Sequence, residues 1–364
     1  MKKYTTRTEL DTIALPVSGC PEDAVLYFDI ETTGFAPAKT LLYLIGCVYK
    51  KQDGYYITQW FLDHPRDEKD LLTDFFDFLK GYRTLVHYNG SGFDIPYIIK
   101  KCSLLGIPCD FSGIHSIDIY KSILPLKKLF KTENLKQKSM ERFMGIERED
   151  CYSGGELINI YNTYLKAKDE RLLSLLLRHN HDDVTGMTGM TSLLNYSCIK
   201  SGNYKLISVE LKSALSASGA PHKEAVISLE LAYSLPVRVS YGNDHYYFTA
   251  FGNSARICVQ AHTDELKYFY PNYKDYYYLP REDRSIHKSV AFYVDKNYRT
   301  RAKAANCYSR KTGVFLPQYE EVVSPYFKID YYDKITYFEF TDDFRSNTGL
   351  ILNYANHIFH VLLA

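Results

Sequence analysis

The residues with most chemical content are Asp29 and Glu31, in Phe28-Asp29-Ile30-Glu31-Thr32-Thr33-Gly34. They close Val25–Ile30, a run of branched and aromatic residues that reads as a strand. Positions i and i+2 of a strand share a face, so both carboxylates project to one side at its end. Two acids so placed repel each other unless a cation lies between them or one takes up a proton, and hard oxygen donors suit Mg²⁺ or Mn²⁺. An exposed strand end with two solvated acids is the plainer alternative, and the Thr-Thr-Gly turn directly after weighs against it. Asp94 is a further candidate, in Tyr88-Asn89-Gly90-Ser91-Gly92-Phe93-Asp94-Ile95-Pro96, where a strand runs into a Gly-rich loop and a helix begins. Helix capping would also account for an Asp followed by a Pro at that point.

The third element is Arg178-His179-Asn180-His181-Asp182-Asp183-Val184. At about 100° per residue, the apolar residues from Leu172 to Leu194 define one helix face, and Asp183 lies within roughly 20° of its centre, His179 about 60° away. Asp182 and His181 point roughly 120° and 140° from that centre. A carboxylate on the packed side is costly unless paired or metal-bound, and His179 is one turn away on the same side. A histidine satisfied within the core remains the alternative for that residue. Two acids on a strand, one at a helix entrance and one on a later helix suit two metal ions about 3.5–4 Å apart, which is what phosphodiester hydrolysis needs. A histidine one turn from the last acid can orient or deprotonate the attacking water.

Those residues must be held by a sheet and its helices. Val25–Ile30, Leu42–Tyr49 and Tyr55–Phe61 read as three successive antiparallel strands, with Asp53-Gly54 turning the last pair. Leu71, Leu72, Phe75, Phe76 and Leu79 recur at helical spacing and predict a helix over 68–79, stopped by Gly81. Thr84–Tyr88 is a fourth strand, a helix runs to Leu105, and the chain to about Ser197 reads almost entirely as helices. This order predicts an α/β fold with helices against a mixed sheet.

F-D-I-E-T-T-G, N-x-x-x-F-D and H-N-x-x-D, in this order, resemble the three exonuclease motifs of the DnaQ-like, or DEDD, superfamily of the ribonuclease H-like fold. More narrowly, the chain resembles the YprB-type ribonuclease H-like family. That pattern includes Tyr43-Leu44-Ile45-Gly46, Gln59-Trp60-Phe61-Leu62, Ile117-Asp118-Ile119-Tyr120, Met144-Gly145-Ile146-Glu147-Arg148 and Gly154-Gly155-Glu156. The resemblance covers about residues 20–197. It implies that Asp29, Glu31, Asp94 and Asp183 hold two Mg²⁺ or Mn²⁺ ions and that His179 is the general base. It further implies a metal-dependent nuclease, a 3′–5′ exonuclease acting on single-stranded ends. Thr32 and Thr33 after the second acid, and Asn89 and Phe93 in the Gly-rich turn, are then expected to contact nucleic acid. His179-x3-Asp183 departs from the Y-x3-D and H-x4-D patterns of better-known DEDD enzymes, and resembles the YprB group.

The chain has 364 residues, a formal charge of +1 and 46% hydrophobic residues, which excludes disorder and removes any whole-molecule attraction to a polyanion. Nucleic-acid binding must come from a local patch. No apolar run reaches the roughly 20 residues of a membrane helix, so a soluble, cytoplasmic protein without membrane contact is expected. The eight cysteines are dispersed without C-x-x-C spacing, as expected of reduced thiols. Tyrosines number 14 before residue 201 and 20 after it, which marks a second, β-rich half. The expected organisation is a leader over 1–24, the ribonuclease H-like domain over 25–200, a linker over 201–219 and a Tyr-rich domain over 220–364. In the last, Lys296, Arg299, Arg301, Lys303, Arg310 and Lys311, interleaved with Tyr298 and Tyr308, could bind a strand or form a solvated face; Arg299 and Arg301 are the expected phosphate contacts. Two other functions compete: a catalytically silent nucleic-acid-binding or partner-docking protein on a nuclease-like scaffold, and an assembly protein built on the Tyr-rich half.

Overall fold

Val25–Ile30 is apolar at nearly every position because it becomes the centre of a sheet covered on both faces. The computed structural model describes residues 1–10, 21–148, 152–215 and 219–364, so Cys20, Cys151, Ser216 and Ser218 lie outside the described residues. They form two compact units, Met1–Ser197 and Cys198–Ala364.

The first unit carries β1 (Lys2–Thr8), β2 (Val25–Thr32), β3 (Leu42–Lys51), β4 (Gly54–Phe61), β5 (Thr84–His87) and β6 (His115–Asp118) in the order β1-β4-β3-β2-β5-β6. Antiparallel pairing joins β1, β4, β3 and β2, and parallel pairing joins β2, β5 and β6, so the sheet is mixed. Around it lie α1 (Glu68–Leu79), α2 (Asp94–Leu105), α3 (Ile119–Ile123), α4 (Lys127–Phe130), α5 (Gln137–Met144), α6 (Gly154–Ala167) and α7 (Glu170–Gly189). The α1 face of Leu71, Leu72, Phe75, Phe76 and Leu79 is buried, and Phe75 stacks on Phe28 of β2 at 5.9 Å between centroids. Burying each such side chain is worth about 1.5–3 kcal/mol. Buried Glu68 of α1 accepts the Leu42 N–H at 2.7 Å and pairs with Lys101 of α2 at 3.0 Å, which ties the start of β3 to both helices.

Three expectations are corrected. Residues 1–24, expected as a leader, contribute β1, which pairs with β4 along its whole length from Lys2↔Phe61 to Thr8↔Tyr55. Its polar, Thr-rich sequence fits an edge strand and carries no clear alternation. The stretch after Leu105, read as almost entirely helical, contains β6. The expected linker over 201–219 contains a strand, β7 (Tyr204–Leu215), after a short helix, α8 (Ser197–Ser201).

In the second unit β7 pairs with β8 (Pro221–Gly242), which pairs with β9 (Tyr246–Phe269). A small separate sheet, β11-β10-β12, is formed by β10 (Tyr276–Leu279), β11 (Arg284–His287) and β12 (Thr300–Arg301), with the short helix α9 (Lys288–Ala291) following β11. The larger sheet is completed by β13 (Tyr308–Gln318), β14 (Tyr326–Phe327) and β15 (Thr336–Glu339), and the chain continues into α10 (Asp342–Ser346) and α11 (Thr348–Leu363). Among the described residues no helix is long and apolar enough to cross a membrane.

Candidate active site

The site is built where β2 ends. Asp29 and Glu31 share a face, and across the ladder Asp29 stands opposite Gly46 of β3, which stands opposite Gln59 of β4. Helix α7 lies over this row. A Cβ at Gly46 would sit 1.9 Å from Asn180 Oδ1, so only glycine lets α7 come this close. Buried Asn180 then donates to Asp29 Oδ2 at 3.3 Å, while Gln59 Nε2 donates to Asn180 Oδ1 at 3.0 Å and to the Leu177 carbonyl at 2.8 Å. Next to Asn180 on α7, His179 Nε2 lies 3.3 Å from Glu31 Oε1 of β2 and 3.0 Å from Oδ2 of Asp183, one turn further along the helix. Ligand atoms of Glu31, His179 and Asp183 all fall within 4.8 Å of one another.

Asp94 is the first residue of α2, with Phe93 at the N-cap and no side-chain cap hydrogen bond. Capping therefore does not explain it: its Oδ1 accepts the Ile30 N–H at 3.3 Å, which places the carboxylate beside β2. The loop before it is held from behind. Asn89 has a left-handed φ of 59°, and Asp118 at the end of β6 accepts the Asn89 and Ser91 N–H groups at 3.0 and 3.3 Å. Buried His87 accepts the Gly90 N–H at 3.1 Å, and a Cβ at Gly90 would meet its ring at 2.7 Å.

The electrostatics follow from crowding acids in a dry place. Burial pushes the Asp29 carboxyl well above the usual carboxylate range, and Asp94, Asp183 and Glu31 add repulsion. Burial likewise pushes Asp94 up to about 7, against the pull of the Asp94 and Ile30 N–H groups and with added repulsion from Asp118 and Asp183. A donor set of carboxylate oxygens with one imidazole fits a divalent cation, whose charge would offset this repulsion.

Asp182, expected to point away, is no more exposed than Asp183, at 16% against 15% of the side chain. What separates them is company: Asp182 faces His181 at 3.4 Å and lines a cavity of about 410 Å³ with Gln59, Glu147 and Arg178. Thr32 and Thr33 spend their hydroxyls within their own loop, donating to the Gly34 carbonyl at 3.0 Å and accepting the Leu41 N–H at 2.8 Å respectively. The Phe93 ring packs edge-on against Phe35, which is 89% exposed.

Sequence reasoning missed the cation of the site. Arg148 reaches Asp183 Oδ1 at 2.6 Å through Nη2 and holds Glu141 Oε2 at 2.8 Å and Oε1 at 3.1 Å through Nη1. Burial opposes the Arg148 charge, but the two carboxylates outweigh it and raise its basicity. Glu141 is completely buried, and Gln137 donates to it at 2.9 Å and to the Asp183 carbonyl at 2.7 Å. Asn180 was missed as well, although it stands three residues before Asp183 and so on the same side of the helix.

Residues 26–195 match the family model RNase_H_2, of the RNase H superfamily. The N-terminal unit is an RNase H-like domain. The uncharacterized protein YprB of Bacillus subtilis is 26% identical over 180 residues, which is 48% of this chain and 43% of YprB. A DNA polymerase of Pyrococcus glycovorans is 28% identical over 115 residues, 29% of this chain and 15% of the polymerase. A family B DNA polymerase from Pyrobaculum calidifontis superposes with a TM-score of 0.40 at 21% identity, covering 48% of this chain and 26% of that one. In each case the chain covers less than half of the relative's length.

Proposed function

We propose that the RNase H-like domain hydrolyses phosphodiester bonds with two Mg²⁺ or Mn²⁺ ions, as a 3′–5′ exonuclease on single-stranded nucleic-acid ends. The observation that carries this reading is the convergence of β2, α2 and α7, which brings Asp29, Glu31, Asp94 and Asp183 together with His179. Bound divalent ions would supply Lewis-acid activation of a water and charge stabilisation at the phosphate. Asp29, Glu31, Asp94 and Asp183 would hold them. His179 would accept the proton of the attacking water through Nε2, the nitrogen that faces both Glu31 and Asp183. Asn180 and Gln59 keep the Asp29 carboxylate from rotating away, and Phe35 with Phe93 offers rings against which a terminal base can stack. The hydroxyls of Thr32 and Thr33 hold the shape of the loop that follows the second acid.

One observation favours a catalytically silent scaffold instead: the Arg148 guanidinium occupies one oxygen of Asp183. The test is cleavage of end-labelled single-stranded DNA and RNA by the full chain with Mg²⁺, Mn²⁺ or EDTA. The expected result is a metal-dependent ladder shortening from the 3′ end, lost in Asp29→Ala and Asp94→Ala with the thermal unfolding of both variants intact. Cleavage that survives EDTA, or full activity in both variants, refutes the two-metal reading. Binding without cleavage of any substrate establishes the silent scaffold.

A further inference from the structure

The second unit separates the basic residues after 295 into two groups. On β13, Arg310 pairs with Glu265 at 2.9 Å and with Asp283, and Lys311 pairs with Glu339 at 2.5 Å, so neither supplies an unpaired cation. On the edge strand β12 the situation differs. Arg301 stands directly opposite Tyr277 of β10, and its guanidinium lies 4.8 Å from the Tyr277 ring centroid. Arg299, two residues earlier and so on the same face, lies 4.9 Å from the same ring. In the turn that follows β10, Arg281 covers the ring of Tyr298, which ends the short 3-10 turn before β12, at 4.5 Å. Among the described residues none of these three guanidinium groups has a carboxylate partner.

Three of the nearby acids are engaged elsewhere. Between Lys274 and Lys303 the sequence has eight lysines and arginines against four acids. Of those acids, Asp275 pairs with Lys288 at 2.7 Å, Asp283 accepts from Tyr278 and Tyr308, and Asp295 accepts the Asn297 N–H at 2.8 Å. A local excess of positive charge thus stands on a chain whose net charge is only +1. Stacking on tyrosine fixes the guanidinium planes and leaves their N–H edges for an outside acceptor. Residues i and i+2 of a strand are about 7 Å apart, comparable to neighbouring phosphates of an extended strand. Phe292 and Tyr293, 77% and 86% exposed, add open rings just after α9.

We propose that the β10–β12 edge of the second unit is a binding surface for single-stranded nucleic acid, with Arg281, Arg299 and Arg301 on successive phosphates and exposed rings stacking on bases. Charge complementarity selects a polyanion, and the interleaved rings select one that carries flat bases. This extends the nuclease reading of the first unit, and its test is separable from that reading.

Binding of fluorescent oligo-dT and oligo-U to the full chain is measured by anisotropy in EDTA, across a salt series. Without divalent ions the carboxylate cluster of the first unit repels phosphate, so the measurement reports binding elsewhere. Arg299→Glu with Arg301→Glu is expected to lower affinity strongly. It should also flatten the slope of log affinity against log salt by about 1.4, since each lost contact to a single strand removes about 0.7. Arg299→Gln with Arg301→Gln removes the charge without adding acids, and should flatten the slope equally if the swap disturbs folding. Unchanged affinity and slope in the Gln variant overturn the proposal, as does equal displacement of the oligonucleotide by polyglutamate, which would assign the surface to acidic proteins. Binding that depends on these arginines in a chain that cleaves nothing supports the surface and refutes the nuclease reading alone.

Discussion

Replacing Arg148 with Met is expected to destabilise the RNase H-like domain by about 3–5 kcal/mol, the cost of leaving a buried charge without its partner. Met keeps the aliphatic stem in place, so the change isolates the guanidinium. Glu141 is completely buried, and its carboxylate would retain only the Gln137 amide at 2.9 Å in place of two bonds from Arg148. Asp183 would lose its 2.6 Å partner in the same step. Adding Glu141→Gln removes the stranded charge, and the double variant should return close to wild-type stability, because exchanging a whole buried pair for neutral groups is often free of cost. Urea unfolding in EDTA, followed by fluorescence, measures this cleanly. Trp60 is the only tryptophan and is fully buried in this unit, so the signal reports the RNase H-like domain. Saturating Mg²⁺ should restore more stability to Arg148→Met than to the wild type, since the ion then replaces the only cation Asp183 has lost. A loss under about 1 kcal/mol, or a double variant no better than the single, refutes the idea that Arg148 neutralises this cluster.

Asp183→Asn should abolish Mn²⁺ binding by calorimetry while Asp182→Asn keeps it, despite their similar exposure; equal effects would mean that the contacts of α7 are wrongly assigned. Gly46→Ala should cost about 1–3 kcal/mol by overpacking against Asn180 and should weaken Mn²⁺ binding, and adding Asn180→Ala should recover the stability but not the binding. Mn²⁺ binding should release protons and tighten as pH rises through neutrality, because burial lifts Asp94 to about 7 and holds Asp29 well above the usual carboxylate range until a cation takes the proton's place; calorimetry in buffers of different ionisation enthalpy reads this. Burial lowers His87 to about 4, so between about 4 and 6.5 the unfolded chain binds more protons than the folded one. Stability should therefore fall as the pH is lowered through that window, by up to about 3 kcal/mol relative to His87→Gln, and parallel pH profiles for the two proteins would exclude this.

Much of the site is legible in the sequence because it depends on local periods. Asp29 and Glu31 face one way because strand residues alternate, α1 runs over 68–79 because five apolar residues recur at helical spacing, and Asp183 with His179 shares a side of α7 for the same reason. Composition alone marks the Tyr-rich second half. Other features depend on partners far along the chain. Whether Lys2–Thr8 is a strand depends on the free edge of β4, and whether Tyr204–Leu215 is one depends on β8, since an edge strand buries too little to carry a strong pattern. Gly46, Gln59 and Asn180 look ordinary alone and acquire a role only where α7 crosses three strands. Asp182 and Asp183 are alike in type and exposure; the helical period sets only the second on the packed side, and the approach of His179 and Arg148 supplies its partners. Arg148 lies in a stretch that enters the family resemblance but shows no role of its own, because a charge reads as solvated until folding removes its water and sets it between the carboxylates of Glu141 and Asp183.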